Sequence, residues 1–231
     1  GWLSRWCKLL GANVHGLALA PTNQGYLYHL VPPSTFTSSV FADISCFDSV
    51  YEYINTIRPD FIFHLAAQPL VLNSYLDPFN TFRTNSLGVL NILESIKKVN
   101  FDITSVIITS DKCYKNVEWV YGYRENDLLG GSDPYSSSKA IAEQLFYSYQ
   151  NSFFKDISNS KKVATARAGN VIGGGDWAEN RIIPDCIRAW TSKNSVEIRN
   201  QYSTRPWQHV LEPLGGYLQL GMKMYLNNIG V

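Results

Sequence analysis

The 231-residue sequence predicts an α/β fold, a doubly wound parallel sheet. Three observations predict it. Short apolar or β-branched runs alternate with stretches of helical periodicity. The run 61–67 is apolar nearly throughout, as a strand covered on both faces is, and 105–110 reads as the next buried strand. Polar segments rich in chemistry follow the runs, at the sheet edge where such folds bind ligands.

The elements come in this order. Trp2, Leu3, Trp6, Leu9 and Leu10 recur at helical spacing, and Gly11 is a stop signal, so 2–10 is a helix. A short strand is expected at 13–19. Residues 20–39 are rich in Pro, Thr and Ser and lack periodicity, which predicts a loop. A strand at 40–44 and a helix at 46–57 follow, the helix ending before Pro59. The run 61–67 is a strand. Leu87, Leu90, Leu93 and Ile96 mark one long helix over 78–99. Residues 105–110 form a buried strand. A helix over 134–152 has Pro134 in its first turn. One strand is expected over 162–172, then a Gly-rich turn, a helix near 181–192, a strand Val-Glu-Ile-Arg-Asn at 196–200, and a helix near 212–226.

Composition excludes several classes. Hydrophobic residues make up 45% and charged residues 17%, which excludes a disordered polymer. Net charge is +1 with scattered Lys and Arg, so no nucleic-acid footprint is present. No apolar run reaches the roughly 18–20 residues of a membrane span. Cys7, Cys46, Cys113 and Cys186 are far apart and form no C-x-x-C pair, so neither a metal site nor a redox dithiol is expected. They read as free thiols of a cytoplasmic protein. The start lacks the charged-then-apolar layout of a secretory signal and an initiator Met, and reads as the middle of a longer chain.

Tyr135 and Lys139 share one face of the predicted helix 134–152. A phenol that accepts a proton near neutrality needs its pKa brought down from about 10, and an ammonium close by does this. Of the 14 tyrosines only Tyr135 has a Lys four positions on. The same spacing also describes a packed ring beside a solvated amine. A second signal is Thr-Ser-Asp-Lys at 109–112, at the end of the buried strand. Ser110 can hydrogen-bond a sugar hydroxyl, and Asp111 with Lys112 sets an acid beside a base. A strand-end turn with an exposed ion pair is the plain alternative.

Together HLAAQP (64–69), TSDKCY (109–114), W-x-x-GYREND (119–127), DPYSSSK (133–139), RAGNVIGGGDW (167–177) and RPWQHV (205–210) resemble the CDP-glucose 4,6-dehydratases. These belong to the extended short-chain dehydrogenase/reductases. The resemblance runs from Gly1 to about Tyr225. The Ala-Ala turn and Y-x-x-x-K are generic to that superfamily; the other motifs are more selective, and Ser-Asp-Lys at 110–112 points to the CDP-sugar branch.

The resemblance implies a Rossmann-like dinucleotide domain over 1–172 and a partial substrate-binding region over 173–231, interleaved with the sheet. It implies NAD as cofactor and CDP-glucose as substrate, with transient oxidation at carbon 4, loss of water across carbons 5 and 6, and return of the hydride. Tyr135 would take the 4-hydroxyl proton, Lys139 would hold the nicotinamide ribose, Ser110 would bridge hydroxyl and phenol, and Asp111 and Lys112 would assist the elimination. Gly1 would match the last glycine of a phosphate-binding turn whose first strand and other glycines are missing. Asp43 and Ile44, ending a strand, would meet the adenine. Leu65, Ala66, Ala67 and Gln68 would let backbone approach the cofactor. Asn170, Arg181, Arg205 and His209 would bind the sugar nucleotide. No acidic residue ends the 13–19 strand, so preference for NAD over NADP comes from the resemblance and not from the residues. His64 reads as a core residue. The aromatic stretch 119–123 reads as a cover for the sugar or as core. The resemblance also implies a homodimer or higher homo-oligomer built on the helices at 78–99 and 134–152. A 4-epimerase on the same scaffold and an inactive, truncated remnant stay open.

Overall fold

The computed structural model describes residues 1–21, 27–155 and 160–227. The chain divides into two units. The first is Gly1–Phe41 with Gly169–Leu214, and the second is Ala42–Ala168 with Gly215–Val231. Every strand pairing among the described residues is parallel apart from one isolated bridge. Parallel sheets joined through helices make this a Rossmann-like α/β fold.

In the first unit, α1 (Trp2–Leu9) carries Lys8 in its last turn, where a cation meets the negative end of the helix dipole. Strand β1 (His15–Ala18) pairs with β2 (Ser38–Phe41), from His15 opposite Ser38 to Ala18 opposite Phe41. The stretch expected to be a loop over 20–39 contains one helical turn, α2 (Leu27–Leu30), a 3-10 turn (Pro33–Thr35) and the start of β2. Residues 22–26 of that stretch lie outside the described residues. Elements this short leave no periodicity to read. The strand expected over 40–44 ends at Phe41, so Asp43 and Ile44 fall in the turn after it. The single strand expected over 162–172 is two strands in different sheets, β5 (Lys161–Ala166) in the second unit and β6 (Asn170–Ile172) in the first. Residues 196–200 form no strand; Ile198 is exposed and the Arg199 guanidinium bonds the Asn180 carbonyl at 3.0 Å. The strand that pairs with β6 is instead β7 (Trp207–His209). Helices α8 (Ile182–Thr191) and α9 (Leu211–Asn227) match expectation closely.

In the second unit β3 (Phe61–His64), β4 (Ile103–Ile108) and β5 form a sheet in that order. The central strand β4 is buried from Ile103 to Ile107. The outer strand β3 is shorter than the apolar run suggests, and its Phe61 is 37% exposed. Helix α3 (Phe47–Ile57) stops at Arg58, which takes the left-handed conformation ahead of Pro59. Its Val50 and Ile54 pack with α6 (Gly88–Lys98), which contributes Val89, Ile92, Leu93 and Ile96 to the core. These recur every three or four residues, the spacing of one buried helix face. Gly88 lets α6 sit close to Ile44: a Cβ there would lie 2.6 Å from the Ile44 side chain. Helix α4 (Val71–Leu76) had no expected counterpart.

The long helix expected over 78–99 is interrupted. It runs as α5 (Pro78–Phe82), a wider π turn (Arg83–Leu87) and then α6. The polar run Arg-Thr-Asn-Ser sits at the interruption, and Asn85 is buried there by partners from outside the helix. Such wide turns often mark functional places.

Helix α7 (Pro134–Tyr149) begins as its sequence predicts. Asp133 is its N-cap: one carboxylate oxygen accepts the Ser136 N–H at 2.9 Å and the other accepts the Ser136 hydroxyl at 2.6 Å. Asp133→Ala is expected to lower stability by about 0.5–2 kcal/mol, read as a fall in thermal midpoint, while Asp133→Asn or Asp133→Ser keeps most of it.

Candidate active site

Strand β4 delivers the backbone to the site. Past Ile108 the chain stays tied to the segment after β5, with Thr109 N–H bonding Ala166 O at 2.9 Å and Asp111 N–H bonding Ala168 O at 3.1 Å. It then tightens into a 3-10 turn, Asp111–Cys113, capped by Ser110. The Ser110 hydroxyl is buried; it accepts the Lys112 N–H at 3.2 Å and donates to Asp111 Oδ1 at 3.0 Å. Asp111 and Lys112 remain partly exposed. Cys113 is wholly buried, and burial pushes its thiol up to about 12, so it is inert.

Helix α7 packs against this turn and brings Tyr135 and Lys139 to it, one helical turn apart. Tyr135 is half-buried. Lys139 is 5% exposed, and its Nζ donates to Ile108 O at 3.2 Å, at the carboxyl end of β4. Burial lowers its pKa to about 8, against the opposing pull of the Glu143 carboxylate. His64, at the end of β3, is buried and neutral: burial first and the Lys139 charge second bring its pKa to about 3. It is a core residue, as expected. Ser110, Asp111, Lys112, Tyr135 and Lys139 thus share one end of the three-stranded sheet.

The Leu65–Gln68 turn follows β3 at the same end. Ala66 and Ala67 are half-buried with no bulky side chains. Gln68 uses its side chain inside the fold, donating to Thr81 Oγ1 at 2.9 Å and accepting the Leu70 N–H at 2.6 Å. Its backbone is clamped by Asn85, whose Oδ1 accepts the Gln68 N–H at 2.8 Å and whose Nδ2 donates to Gln68 O at 3.1 Å. The same Nδ2 donates to the Ser138 hydroxyl at 2.9 Å, beside Lys139 on α7. Asn85, 1% exposed, is a site residue that the sequence reading missed. The available signal was a polar residue on the buried stripe Asn85, Val89, Ile92, Ile96.

Asp43 and Ile44 do not end a strand. Asp43 closes a turn by accepting the Ser45 N–H at 2.9 Å and pairs with Arg83 at 3.1 Å. The Ser45 hydrogen bond, helped by Arg83, holds its carboxyl below the usual range. Ile44 is core, and its carbonyl accepts from Asn91 at 2.8 Å.

The remaining candidates belong to the first unit. Gly1 caps α1, and a Cβ on it would meet the Leu27 side chain at 2.5 Å. Trp2 Nε1 donates to Gly174 O at 2.9 Å, and Leu27 N–H to Gly175 O at 3.2 Å, so the Gly173–Gly175 turn lies against α1 and α2. Gly175 has φ +92°, where a side chain would be strained. Asn170 is the first residue of β6, opposite Trp207. His209 pairs with Ile172, and its Nδ1 accepts the Leu211 N–H at 3.3 Å, fixing the turn into α9. Arg181 pairs with Asp176 at 3.0 Å. Arg205 is exposed and bonds the Thr204 carbonyl at 2.6 Å.

The aromatic stretch is not core. Tyr123 stacks on Tyr114 with ring centroids 5.1 Å apart, while Trp119 and Tyr121 face outward. No group of His, Cys, Asp and Glu able to hold a metal occurs among the described residues. No helix of the described residues is long and apolar enough to cross a membrane.

Residues 6–221 match the family model described as GDP-mannose 4,6-dehydratase. The chain is 46% identical to CDP-glucose 4,6-dehydratase of Salmonella typhimurium over 227 residues, which is 97% of this chain and 63% of that relative. It is 30% identical to GDP-6-deoxy-D-mannose reductase of Pseudomonas aeruginosa, over 70% of this chain and 53% of the relative. The chain therefore spans less than two thirds of the length of these relatives. Among solved structures, UDP-glucuronic acid 4-epimerase from Bacillus cereus, in complex with UDP-glucuronic acid and NAD, has a TM-score of 0.81 at 20% identity, covering 99% of this chain and 71% of that one. An epimerase from Methanothermobacter thermautotrophicus has a TM-score of 0.80 at 25% identity, covering 95% and 63%. By sequence over nearly its whole length, the chain belongs to the GDP-mannose 4,6-dehydratase family.

Proposed function

We propose that this protein dehydrates CDP-glucose to CDP-4-keto-6-deoxyglucose, using NAD, in the cytoplasm. The observation that carries the reading is the convergence of the Ser110–Lys112 turn with the Tyr135 and Lys139 helix at one end of the β3-β4-β5 sheet. The 46% identity to a CDP-glucose 4,6-dehydratase supports the choice of sugar nucleotide.

The residues present fit a dinucleotide. An ammonium has three donors, and the Lys139 hydrogen bond to Ile108 O occupies one, leaving two for a ribose diol. Ala66 and Ala67 leave the backbone after β3 open to close approach. When bound, NAD supplies a reversible acceptor for the two electrons removed at carbon 4. Tyr135 as phenolate takes the 4-hydroxyl proton, and the Lys139 ammonium favours that phenolate. Ser110 orients the hydroxyl. The resulting 4-ketone stabilises the carbanion formed when carbon 5 loses its proton. Asp111 and Lys112 between them handle that proton and the departing 6-hydroxyl. Gly1, Asp43 and Ile44 are assigned to the cofactor and Asn170, Arg181, Arg205 and His209 to the sugar nucleotide. The protein works as a homodimer through α5–α6 and α7, where Phe79 is 77% and Tyr147 67% exposed.

The direct test is CDP-glucose with added NAD, watching for a 4-keto-6-deoxy sugar; a clean carbon-4 epimer with no keto product favours a 4-epimerase. Tyr135→Phe is expected to abolish the first oxidation, losing about 10²-fold or more in rate. Asp111→Asn with Lys112→Met is expected to let reduced cofactor accumulate on mixing with substrate, because oxidation proceeds and elimination stalls. Turnover unchanged in either variant refutes the assigned roles. Tyr147→Glu is expected to give a monomer in sedimentation, and an unchanged dimer refutes the α7 interface.

A further inference from the structure

Glu143 lies one turn beyond Lys139 on α7 and is 3% exposed. Four groups converge on its carboxylate. Thr109, the residue before Ser110, donates its hydroxyl to Oε1. Thr165 of β5 donates to Oε2 at 3.1 Å, and the Arg167 guanidinium pairs with Oε2 at 2.8 Å. Lys139 feels the same charge along the helix. Arg167 carries the connection outward: its Nη1 donates to Glu125 O at 3.0 Å, and its guanidinium lies 4.8 Å from the centre of the Tyr114 ring. One carboxylate thus joins the end of β4, the end of β5, the helix bearing Tyr135 and Lys139, and the loop that follows the Ser-Asp-Lys turn.

We propose that Glu143 is a positioning residue for the reaction, fixing the Ser110–Lys112 segment against α7 and keeping the Lys139 amine charged. The proposal rests on the catalytic reading given above for Tyr135 and Lys139. The charge effect has a definite sign. Burial pulls the Lys139 proton off and the Glu143 carboxylate holds it on, so removing the carboxylate lets Lys139 go neutral at lower pH. Other titratable groups near this amine are Tyr135, one helical turn before it on α7, His64 from the end of β3, already neutral, and Cys113 from the turn after β4, a protonated thiol. Asp111 and Arg167 bear on that thiol as well. Among these, the Glu143 carboxylate does most to favour the charged amine. A neutral Lys139 no longer favours the Tyr135 phenolate, so activity is lost as pH rises through the Lys139 pKa.

The experiment follows the Lys139 Cε chemical shift with pH in protein labelled with 13C-lysine, in wild type, Glu143→Gln and Glu143→Asp. Wild type is expected to titrate near the value of about 8. Glu143→Gln is expected to titrate about one pH unit lower and Glu143→Asp to recover most of the difference. In parallel, Glu143→Gln is expected to lower kcat for CDP-glucose dehydration about tenfold with KM nearly unchanged, and to move the alkaline limb of the pH profile down with the Lys139 midpoint. A Glu143→Gln protein with the wild-type Lys139 midpoint overturns the proposal. Should that single variant not fold, Glu143→Gln with Arg167→Met removes both members of the ion pair and carries the same titration. Wild-type protein without CDP-glucose turnover counts against the catalytic reading alone, because the chemical-shift titration needs no substrate.

Discussion

A cation taken out of water must be held by groups the fold provides. Lys139 is such a cation. It is buried at the carboxyl end of β4, donating to the Ile108 carbonyl, with a carboxylate one helical turn away. Much of the second unit is arranged around that fact. Strand β4 is buried because β3 and β5 flank it, and α7, which bears the proposed proton relay, packs against the turn at its polar end. The Glu143 carboxylate is buried in turn, with the half-buried Arg167 guanidinium as its partner, and a buried carboxylate deprived of that partner is left without compensation. The threonines at 109 and 165 bond the carboxylate oxygens, so the pair does not rely on Coulomb attraction alone.

The neighbouring turn solves a second problem. A loop that carries reactive groups has backbone donors to satisfy. Asn85 does this for the Gln68 turn, bonding both its N–H and its C=O and reaching Ser138 on α7. The π turn around Asn85 and the close approach permitted by Gly88 belong to the same construction. The proposed cofactor-facing turn and the proposed catalytic helix are therefore braced by one amide, and displacement of either strains the other.

The sequence made the helix-borne pair legible because its meaning is local. Four residues of spacing place Tyr135 and Lys139 on one face whatever else the chain does. The Pro134 start was legible for the same reason; the Asp133 cap came from the structure. Strand ends were read less well. Leu65 and Ala66 continue an apolar run after β3 has ended, and nothing in 162–172 announces that the chain changes sheets at Arg167–Gly169. Gly169 is needed there because Pro206 comes within 2.7 Å of where a Cβ would be, a contact between distant segments. The alternation at 196–200 looked like a strand, yet a strand exists only with a partner, and β7 holds that place beside β6. Asn85 and Glu143 were missed because their partners lie far along the chain: Asn85 reaches Ser138 across 53 positions and Glu143 reaches Thr109 across 34. A buried polar residue acquires its role from such contacts, and single-sequence patterns do not contain them.

The Ser110 hydroxyl sets a constraint on the order of events. It has one proton. In this structure that proton goes to Asp111, while the oxygen accepts the Lys112 N–H. To donate to a sugar hydroxyl or to the phenol of Tyr135, Ser110 must release Asp111. Release frees a carboxylate oxygen of Asp111, the residue proposed for the elimination, at the stage of the proposed oxidation. The backbone bond from Lys112 to the same oxygen persists through that change, so the turn keeps its shape while the proton is redirected. A Ser at 110 followed directly by Asp111 and Lys112 thus links the proposed oxidation and elimination groups through one rotatable hydroxyl. Neither Ala, which has no proton to redirect, nor a bulkier residue in so buried a position does the same.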